Sequence, residues 1–310
     1  MTAPEGKVVG VGLATVDLLL LWEDMSEPVA EADIRECELQ GGGMVGTGVV
    51  TVTRLGGRAE FRGRVGTDWI GDLVVRGLRD EGVDVSQVQR PTDSTGPLVT
   101  VCVDGATGER QFKGFLNSGL GRGSEQLAEA LEGAACLLVD TMLPDVATVA
   151  ARRAQELRIP VVADMGSGVG ESQRDLMAAV DHAIFDERSI RRLAPDGGPR
   201  EACEAAQRMG PRHVAITRGE RGVVSLAGET YRELDAFHVD VVDTTGAGDV
   251  FHGAFCYGLL ADYEVETNLL FSSAVAAIKC SRLGGRAGIP GFPEVRRFLK
   301  ERGIALPPSA

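Results

Sequence analysis

Short apolar runs alternate with helix-like stretches from residue 127 onward. The apolar runs span residues 136–140, 160–164, 182–186 and 213–217, and the helix-like stretches span 127–133, 146–157, 172–180 and 201–209. Alternating β and α segments favour parallel strands covered by helices on both faces. Because no Pro-, Gly- or Ser-rich linker and no repeat divides the chain, we expect a single α/β domain over residues 1–310.

Four extended segments do not fit this alternation. They span residues 17–22, 33–40, 98–103 and 110–116, and a glycine-containing turn joins the last two as a hairpin. We expect these strands to form a separate small sheet that acts as a lid and is inserted at about residues 15–40 and 97–117.

Several further elements are predicted around these segments. A strand at residues 8–13 opens the chain, a helix follows the glycines at 41–43 and ends at Leu55, and another helix covers 73–80. Extended runs at 222–226 and 237–242 precede a helix of small residues from about Ala247, and the last long helix covers 266–280.

Net charge excludes several classes of partner. The 310 residues include 32 basic and 45 acidic side chains, a formal charge of −13, which disfavours binding to a nucleic acid backbone. No apolar run approaches the roughly 20 residues of a membrane span. The six cysteines form no CxxC pair and the four histidines form no metal-ligand cluster, so we expect reduced thiols and a cytoplasmic protein.

The segment 243–249, with the sequence Asp-Thr-Thr-Gly-Ala-Gly-Asp, follows an extended run and opens a predicted helix. Its glycines allow a tight turn in which successive N–H groups converge on one point. The helix N-terminus adds about half a positive charge there, which makes a cradle for an anion. Asp249 is placed to take a proton from a hydroxyl group that attacks a phosphorus held by those amides. Alternatively, Asp249 only stabilises the helix start.

Two more glycine-containing segments are candidates for ligand contact. Residues 41–47 open a predicted helix, and residues 217–222 follow an apolar strand at the edge where ligands of α/β sheets gather. Each can also be an ordinary turn. A P-loop is excluded because no GxxxxGK[ST] motif occurs, and residues 10–15 are not followed by the helix that a dinucleotide-binding fold needs.

Together these segments resemble the ribokinase family, the pfkB-type carbohydrate kinases. Residues 243–251 (DTTGAGDVF) are similar to the C-terminal signature of the family. Asp17 after the first strand, the glycine run before a helix that ends at Arg54, and the segment 65–71 follow in the family's order. The resemblance covers about residues 7–300, and segments 82–88, 239–254, 279–280 and 284–290 are similar to the sulfofructose kinase and ketohexokinase-like members.

The resemblance implies a three-layer α/β/α sandwich with a mostly parallel central sheet and a small β-sheet lid. It also implies an ATP- and Mg²⁺-dependent kinase that phosphorylates a ketose-like sugar or sugar derivative, and a homodimer formed through the lid. The implied catalytic base is Asp249, and the amides of Gly246, Ala247 and Gly248 match the anion hole for the γ-phosphate.

Further family positions carry over to binding residues. Sugar-hydroxyl contacts fall on Asp17, Gly42 and Gly43, and the nucleotide-binding loop falls on Thr217, Gly219 and Gly222 with Thr245 beside it. Asp243 and Thr245 match positions that hold a monovalent cation, such as K⁺, in ribokinase-like members.

The chain departs from the family pattern at three places. Thr47 stands where many members have Asn, which changes the hydroxyl group that can be recognised. The NxxE motif, which helps to hold Mg²⁺ through water, maps onto residues 186–189, where Asp186 stands in place of the Asn and Ser189 in place of the Glu. Met142 lies where we expect an Arg if the substrate carries a distant sulfonate or phosphate. Arg110 and Lys113 on the lid hairpin then remain as candidates to bind an anionic substituent, or else lie on a solvated strand face.

Three other functions fit the same residues. The first is a sulfofructose kinase and the second is a nucleoside kinase, which needs an apolar clamp for the base that Trp22, Phe112 and Phe115 could form. The third is a non-catalytic sugar- or nucleotide-binding regulator, since a fold alone does not determine function.

Overall fold

The computed structural model describes residues 4–23, 34–92, 94–105, 110–115, 125–128, 131, 133–166 and 168–307. The strands of this part of the chain are β1 (Lys7–Val11), β2 (Thr15–Trp22), β3 (Ile34–Gly42), β4 (Ala59–Arg62), β5 (Leu98–Asp104), β6 (Arg110–Phe115), β7 (Ala134–Asp140), β8 (Val161–Asp164), β9 (His182–Asp186), β10 (His213–Thr217), β11 (Val223–Ala227) and β12 (Thr230–Leu234). The α-helices are α1 (Met44–Arg54), α2 (Trp69–Asp80), α3 (Pro144–Leu157), α4 (Glu171–Met177), α5 (Glu187–Ile190), α6 (Pro199–Gln207), α7 (Ala247–Leu260), α8 (Val265–Lys279) and α9 (Phe292–Glu301). Of these helices, none combines the length and the apolar character needed to cross a lipid bilayer.

The main sheet has the strand order β12-β11-β10-β9-β8-β7-β1-β4. Its strands run parallel from β10 to β4, and β11 and β12 join the far edge antiparallel, which confirms the mostly parallel sheet. β7, β8 and β9 each end in an aspartate (Asp140, Asp164 and Asp186), and β10 ends at Thr217. Since the carboxyl ends of parallel strands meet at one edge, these four residues share an edge at which ligands of α/β sheets gather.

Core residues fall into two groups, one on each face of the sheet. Val8 belongs to the group covered by α1, α2, α7, α8 and α9, while its neighbour Val9 belongs to the group covered by α3, α4 and α6. Successive side chains of a strand point to opposite faces, so an unbroken apolar run supplies both groups. Each fully buried Val or Leu stabilises the fold by about 1.5–3 kcal/mol. The predicted three-layer α/β/α arrangement is therefore confirmed.

A close contact joins α1 to α7. A Cβ atom on Gly253 would lie 2.2 Å from the backbone oxygen of Gly48, so a side chain at position 253 would separate the two helices. This contact holds the start of α1, with its preceding glycine run, next to the start of α7, where Asp249 lies.

The small sheet has the strand order β3-β2-β5-β6. β5 and β6 form the predicted antiparallel hairpin, whose turn at 106–109 lies outside the described residues. Leu19, Val101 and Val103 form a core of its own beneath the sheet. The separate small sheet expected from the sequence is thus confirmed.

Three elements differ from the prediction. The run 237–242 is not a strand, because the N–H of Val242 donates to the carbonyl of Cys280 (2.8 Å) rather than to a neighbouring strand. The strand that pairs with β11 is β12 instead. Helix α9 follows α8, so α8 is not the last long helix. At the helix predicted for 127–133, the described residues show a 3₁₀ turn at Glu125–Ala128.

Candidate active site

The loop before α7 contains the tight glycine turn that the sequence predicts. Gly246 caps α7 with a φ of 71°, a left-handed conformation that favours glycine. The N–H of Ala247 donates to the carbonyl of Thr244 (3.2 Å) and closes the turn. The N–H groups of Gly246 and Gly248 find no acceptor within the described part of the chain, and the space over Gly248 is open for at least 4 Å. An anion could approach the helix N-terminus here.

Asp249 lies half-buried in the first turn of α7. Burial and the negative charges of Asp164, Asp17 and Asp140 together raise its pKa to about 7, while His252 opposes them. A carboxyl group with this pKa can accept a proton near neutral pH, because a general base works best when its pKa lies near the working pH.

The carboxylates at the ends of β7 and β8 are held by backbone N–H groups. Asp140 is fully buried and accepts hydrogen bonds from the N–H groups of Leu13 (2.7 Å) and Met142 (3.0 Å). Burial raises the pKa of Asp140 to about 6 in spite of these bonds. Asp164 accepts a bond from the N–H of Gly166 (2.9 Å) and faces Asp140 across the sheet.

His252 links the helix to this edge. Its Nδ1 donates to the carbonyl of Gly248 (2.6 Å) and lies 3.4 Å from Oδ2 of Asp164, and its side chain is buried. His252 therefore packs beneath the first turn of α7 and helps to fix the position of Asp249.

Asp17 reaches the same region from the small sheet. Its Oδ1 accepts a hydrogen bond from the hydroxyl of Thr15 (2.5 Å). Burial raises its pKa, while Thr15 and the charge of Arg286 lower it. A Cβ atom on Gly42 would lie 2.0 Å from the Asp17 carboxylate, and Gly43 caps α1 with a φ of 84°. The glycine run is thus required by the carboxylate that lies over it and by the turn into α1.

Arg286 is a site residue that the sequence reasoning missed. Its side chain is only 6% exposed, and its Nη2 donates to the carbonyl of Gly42 (2.6 Å). Its Nε lies 3.4 Å from the hydroxyl of Thr47, and a Cβ atom on Gly41 would lie 2.0 Å from its Nη1. Burial lowers the pKa of Arg286 to about 10, which leaves it charged, and Asp17 favours that charge. The two glycines that precede Arg286 were the available signal, because they mark a loop near the cradle.

Thr47 occupies a different environment from the one expected of a substrate contact. Its side chain is buried, with 1% exposed, and its hydroxyl faces the Arg286 guanidinium.

The predicted nucleotide-binding loop lies at the carboxyl end of β10. The hydroxyl of Thr217 donates to the carbonyl of Phe185 (3.2 Å), and Gly219 and Gly222 have φ values of 60° and 78°. A Cβ atom on Gly222 would lie 2.0 Å from the carbonyl of Leu234, so this glycine is needed for packing against β12. No atom lies within 4 Å of a Cβ on Gly219, which leaves open space over that part of the turn.

The predicted cation positions are occupied by hydrogen-bond donors. Oδ1 of Asp243 accepts bonds from the N–H (2.8 Å) and the hydroxyl (2.7 Å) of Thr245, and Oδ2 accepts from the N–H of Gly284 (2.8 Å). The carbonyl of Asp243 accepts from the ammonium group of Lys279 (3.0 Å). Burial raises the pKa of Asp243, but these bonds and the Lys279 charge bring it below its usual value. Because N–H, hydroxyl and ammonium groups already donate to the oxygens of Asp243, this site does not fit K⁺.

The remaining predicted residues lie on β6 and at the carboxyl ends of β7 and β9. Arg110 lies in β6, but its side chain is outside the described residues, and Lys113 is exposed on the same strand. Asp186 is exposed, and its Oδ1 accepts a bond from the N–H of Ser189 (2.6 Å) at the start of α5. Met142 is partly exposed at the end of β7.

The chain is similar in sequence and in fold to proteins of one family. The family model for pfkB family carbohydrate kinases matches residues 5–291. The ATP-dependent ribose-1-phosphate kinase of Halopiger xanaduensis is 29% identical over 300 residues, which covers 96% of this chain and 99% of that protein. A solved structure from Agrobacterium tumefaciens has a TM-score of 0.89 at 27% identity, and covers 96% of this chain and 98% of its own. Arabidopsis thaliana ribokinase, complexed with ribose and ATP, has a TM-score of 0.80 at 21% identity with 97% and 99% covered, a likeness in fold.

Proposed function

The chain belongs to the pfkB family of carbohydrate kinases, and we propose that it transfers the γ-phosphate of ATP to a hydroxyl group of a ketose-like sugar or sugar derivative. As a family member it is a phosphotransferase with an alcohol group as acceptor. The proposal depends on one observation: Asp249, whose pKa burial and the neighbouring Asp164 raise to about 7, lies beside the open N–H groups of Gly246 and Gly248.

In the proposed reaction, Asp249 accepts the proton of the acceptor hydroxyl as its oxygen attacks the γ-phosphorus. The bond between that phosphorus and the β,γ-bridging oxygen breaks, so ADP leaves with the bonding electron pair. The N–H groups of Gly246 and Gly248 and the N-terminus of α7 stabilise the charge on the transferred group. This arrangement places positive charge where the net charge of −13 does not supply it.

Mg²⁺ would neutralise charge on the β- and γ-phosphates when it is bound with ATP. Mg²⁺ is commonly held by one or two carboxylates together with phosphates and water. Asp186 fits this role, because it is exposed at the end of β9 beside Thr217 and only its Oδ1 bonds to the backbone of α5. Among the described residues, no group of three or more His, Cys, Asp or Glu side chains is placed to hold a metal ion.

We assign the acceptor pocket to the residues around the glycine run. Asp17 on β2 and Gly42 at the end of β3 belong to the small sheet, and Gly43 leads into α1. The small sheet would close over the acceptor as a lid. Thr217 and Gly219 would contact the nucleotide at the far end of the same sheet edge. In this assignment the acceptor and the nucleotide would meet at the N-terminus of α7, beside Asp249.

Arg286 favours an acceptor that carries an anionic group. The cradle region contains Asp17, Asp140, Asp164 and Asp249, and a negatively charged acceptor would be repelled unless a cation faced it. Arg286 supplies that cation next to Gly41 and Gly42. The sequence alone offered Arg110 and Lys113 as candidates to bind an anionic substituent. The Halopiger xanaduensis relative acts on a sugar phosphate, and a sulfonated ketose would present similar chemistry.

The first experiment tests the chemistry. Asp249→Asn should lose about 10²- to 10⁴-fold in kcat with any acceptor that the wild-type protein phosphorylates, because the base is removed. Asp175→Asn is the matched control, since that carboxylate is exposed on α4, which packs against the opposite face of the sheet from α7. Full activity in Asp249→Asn would refute the mechanism.

The second experiment tests the acceptor. A panel of neutral ketoses and aldoses, sugar acids, sugar phosphates, sulfosugars and nucleosides is assayed with wild type and Arg286→Gln. We expect kcat/KM to fall roughly 10- to 100-fold for anionic acceptors and much less for neutral ones, the effect of one charged hydrogen bond. Equal losses for both classes would mean that Arg286 only holds Gly42 and Thr47 in place.

The same panel discriminates the remaining alternatives. A nucleoside preferred over every ketose would favour a nucleoside kinase, for which Trp22 and the exposed Phe112 are the described aromatic candidates. Tight sugar or nucleotide binding in calorimetry without turnover across the panel would favour a regulator instead.

A homodimer through the small sheet is proposed from its exposed surface. Leu39 on β3 and Phe112 on β6 are 52% and 58% exposed, and both strands are edges of the sheet. Exposed apolar edge strands are usually covered by a partner. Sedimentation velocity at micromolar concentration should show a dimer, and a monomer would contradict the proposal.

A further inference from the structure

A lysine side chain lies buried beneath the anion cradle. Lys279 is the last residue of α8, and no part of it is exposed. Its ammonium group donates to the carbonyl of Asp243, at the start of the loop that leads to Gly246 (Nζ–O 3.0 Å). Burial of a charge is costly unless the charge has partners, so an ammonium at this position needs a structural or functional reason.

The surroundings of Lys279 suit a cation. The C-terminus of α8 presents partial negative charge, which favours a cation in the last turn. The carboxylate of Asp243 supplies the opposite charge, and Lys279 and Asp243 interact electrostatically. Two further bonds tie the loop to the end of α8, because the N–H groups of Val242 and Asp243 both donate to the carbonyl of Cys280.

The loop geometry depends on these contacts. The Asp243 carboxylate orders Thr245 by two bonds and Gly284 by a third. Gly246 then takes its left-handed conformation and opens α7. A positive charge beneath Asp243 therefore acts at the base of the segment that carries the cradle and Asp249.

From this arrangement we propose that the Lys279 ammonium permanently performs the role of a loop-ordering monovalent cation, so that this chain needs no K⁺. The expected effect of Lys279 on the phosphorylation rate rests on the proposed kinase function. The place of the Lys279 ammonium beside the Asp243 carbonyl does not depend on that function. Lys279 is a positioning residue, because it acts on the transferred phosphate through residues 243–246.

The first test uses wild-type protein in buffers in which KCl replaces choline chloride at constant ionic strength. The binding constant of a non-hydrolysable ATP analogue with Mg²⁺ is measured by calorimetry, and the phosphorylation rate is measured with the best acceptor. Both should change by less than about twofold, which is the scale of residual salt effects. Saturable activation or tighter nucleotide binding by K⁺ would overturn the proposal. The calorimetric result stands even if no acceptor is found, so it is separate from the failure of the proposed function.

The second test uses variants. Lys279→Ala removes the charge and leaves a cavity, and we expect nucleotide affinity and rate to fall on the order of 10- to 100-fold without K⁺, the effect of losing a charged hydrogen bond. K⁺, but not choline, should restore part of both. Lys279→Met fills the same space without charge and should not respond to K⁺. Lys300→Ala, an exposed lysine on α9, is the control.

Two outcomes would contradict the role of Lys279. One is an Ala variant that matches wild type in K⁺-free buffer. The other is an anomalous scattering peak beside the Asp243 carbonyl in wild-type crystals soaked in Rb⁺, which does not require the variants to fold. The absence of that peak in wild type and its presence in Lys279→Ala is the expected result.

Discussion

Replacing Asp164 by asparagine is expected to move the acid limb of the pH–rate profile to lower pH. After burial, the charge of Asp164 is the largest cause of the raised pKa of Asp249. Oδ1 of Asp164 accepts a hydrogen bond from the N–H of Gly166 (2.9 Å), and the amide oxygen of asparagine can accept the same bond. The variant therefore removes a charge from the site and keeps the local backbone contact.

The expected change of kcat/KM with pH follows from the pKa of Asp249, which burial and Asp164 raise to about 7 from an ordinary 3.8. Asp249 must be ionised to accept a proton, so kcat/KM should fall about tenfold for each pH unit below its pKa. At about pH 6, roughly one-tenth of the Asp249 carboxyl groups are ionised in the wild type. In Asp164→Asn the pKa is lower, so a larger fraction is ionised at that pH and the loss of rate between neutral and acidic pH is smaller.

The assay measures kcat/KM across the acidic and neutral range in buffers of constant ionic strength, with excess Mg²⁺ so that protonation of the nucleotide contributes little. Asp175→Asn, which removes an exposed carboxylate on α4, controls for a general change in net charge. The reasoning is refuted if wild type and Asp164→Asn have the same acid limb while circular dichroism shows the same fold. A wild-type profile that stays flat below neutral pH would show that Asp249 is not the base.

Two predictions concern stability. Burial holds the pKa of His182 and His213 at about 3 in the folded protein, whereas the unfolded chain binds protons from about pH 6.5. The two neutral histidines therefore contribute fully to the free energy of unfolding above that pH, and this contribution is lost as the pH falls. The slope approaches about 2.7 kcal/mol per pH unit for two groups. In urea titrations, the free energy of unfolding should fall less between neutral and acidic pH in His213→Leu than in the wild type. Gly253→Ala should destabilise the protein by about 1–3 kcal/mol, because its Cβ would lie 2.2 Å from the Gly48 oxygen. Gly77→Ala in α2, whose Cβ would meet no atom within 4 Å, should instead stabilise by about 0.5–1 kcal/mol, and equal melting temperatures for the two variants would contradict the packing argument.

Short-range features of the site were predictable from sequence. The positive φ of Gly246 and the place of Asp249 in the first turn of α7 depend on residues within one loop, whose glycines and helix start are visible in the sequence. The main sheet was predictable for a similar reason, since a run such as 213–217 is apolar on both faces only when helices cover both. The family signature then linked these local features to one fold.

Two strand predictions were wrong because the sequence does not show which backbone segment lies beside each strand. The run 237–242 has the composition of a strand, but whether it pairs depends on which backbone lies beside it. Its Val242 N–H faces Cys280, and Val241 and Val242 are both 61% exposed. Strand β12 has a mixed polar sequence and pairs only because β11 presents an open edge to it.

The sequence by itself determined the α/β class, the glycine turn at residues 243–249 and the place of Asp249 in the first turn of α7, because each depends on the local pattern of the chain. The tertiary structure decided which charged side chains lie near the glycine run and the loop before α7. Arg286 reaches Gly42 and Thr47 across 244 and 239 residues, and no local pattern encodes such a contact. Lys279 and Asp243 meet only because the end of α8 lies against the loop before α7. The contacts of Arg286 and Lys279 are therefore properties of the folded protein, since electrostatic interactions depend on distance in space and on burial.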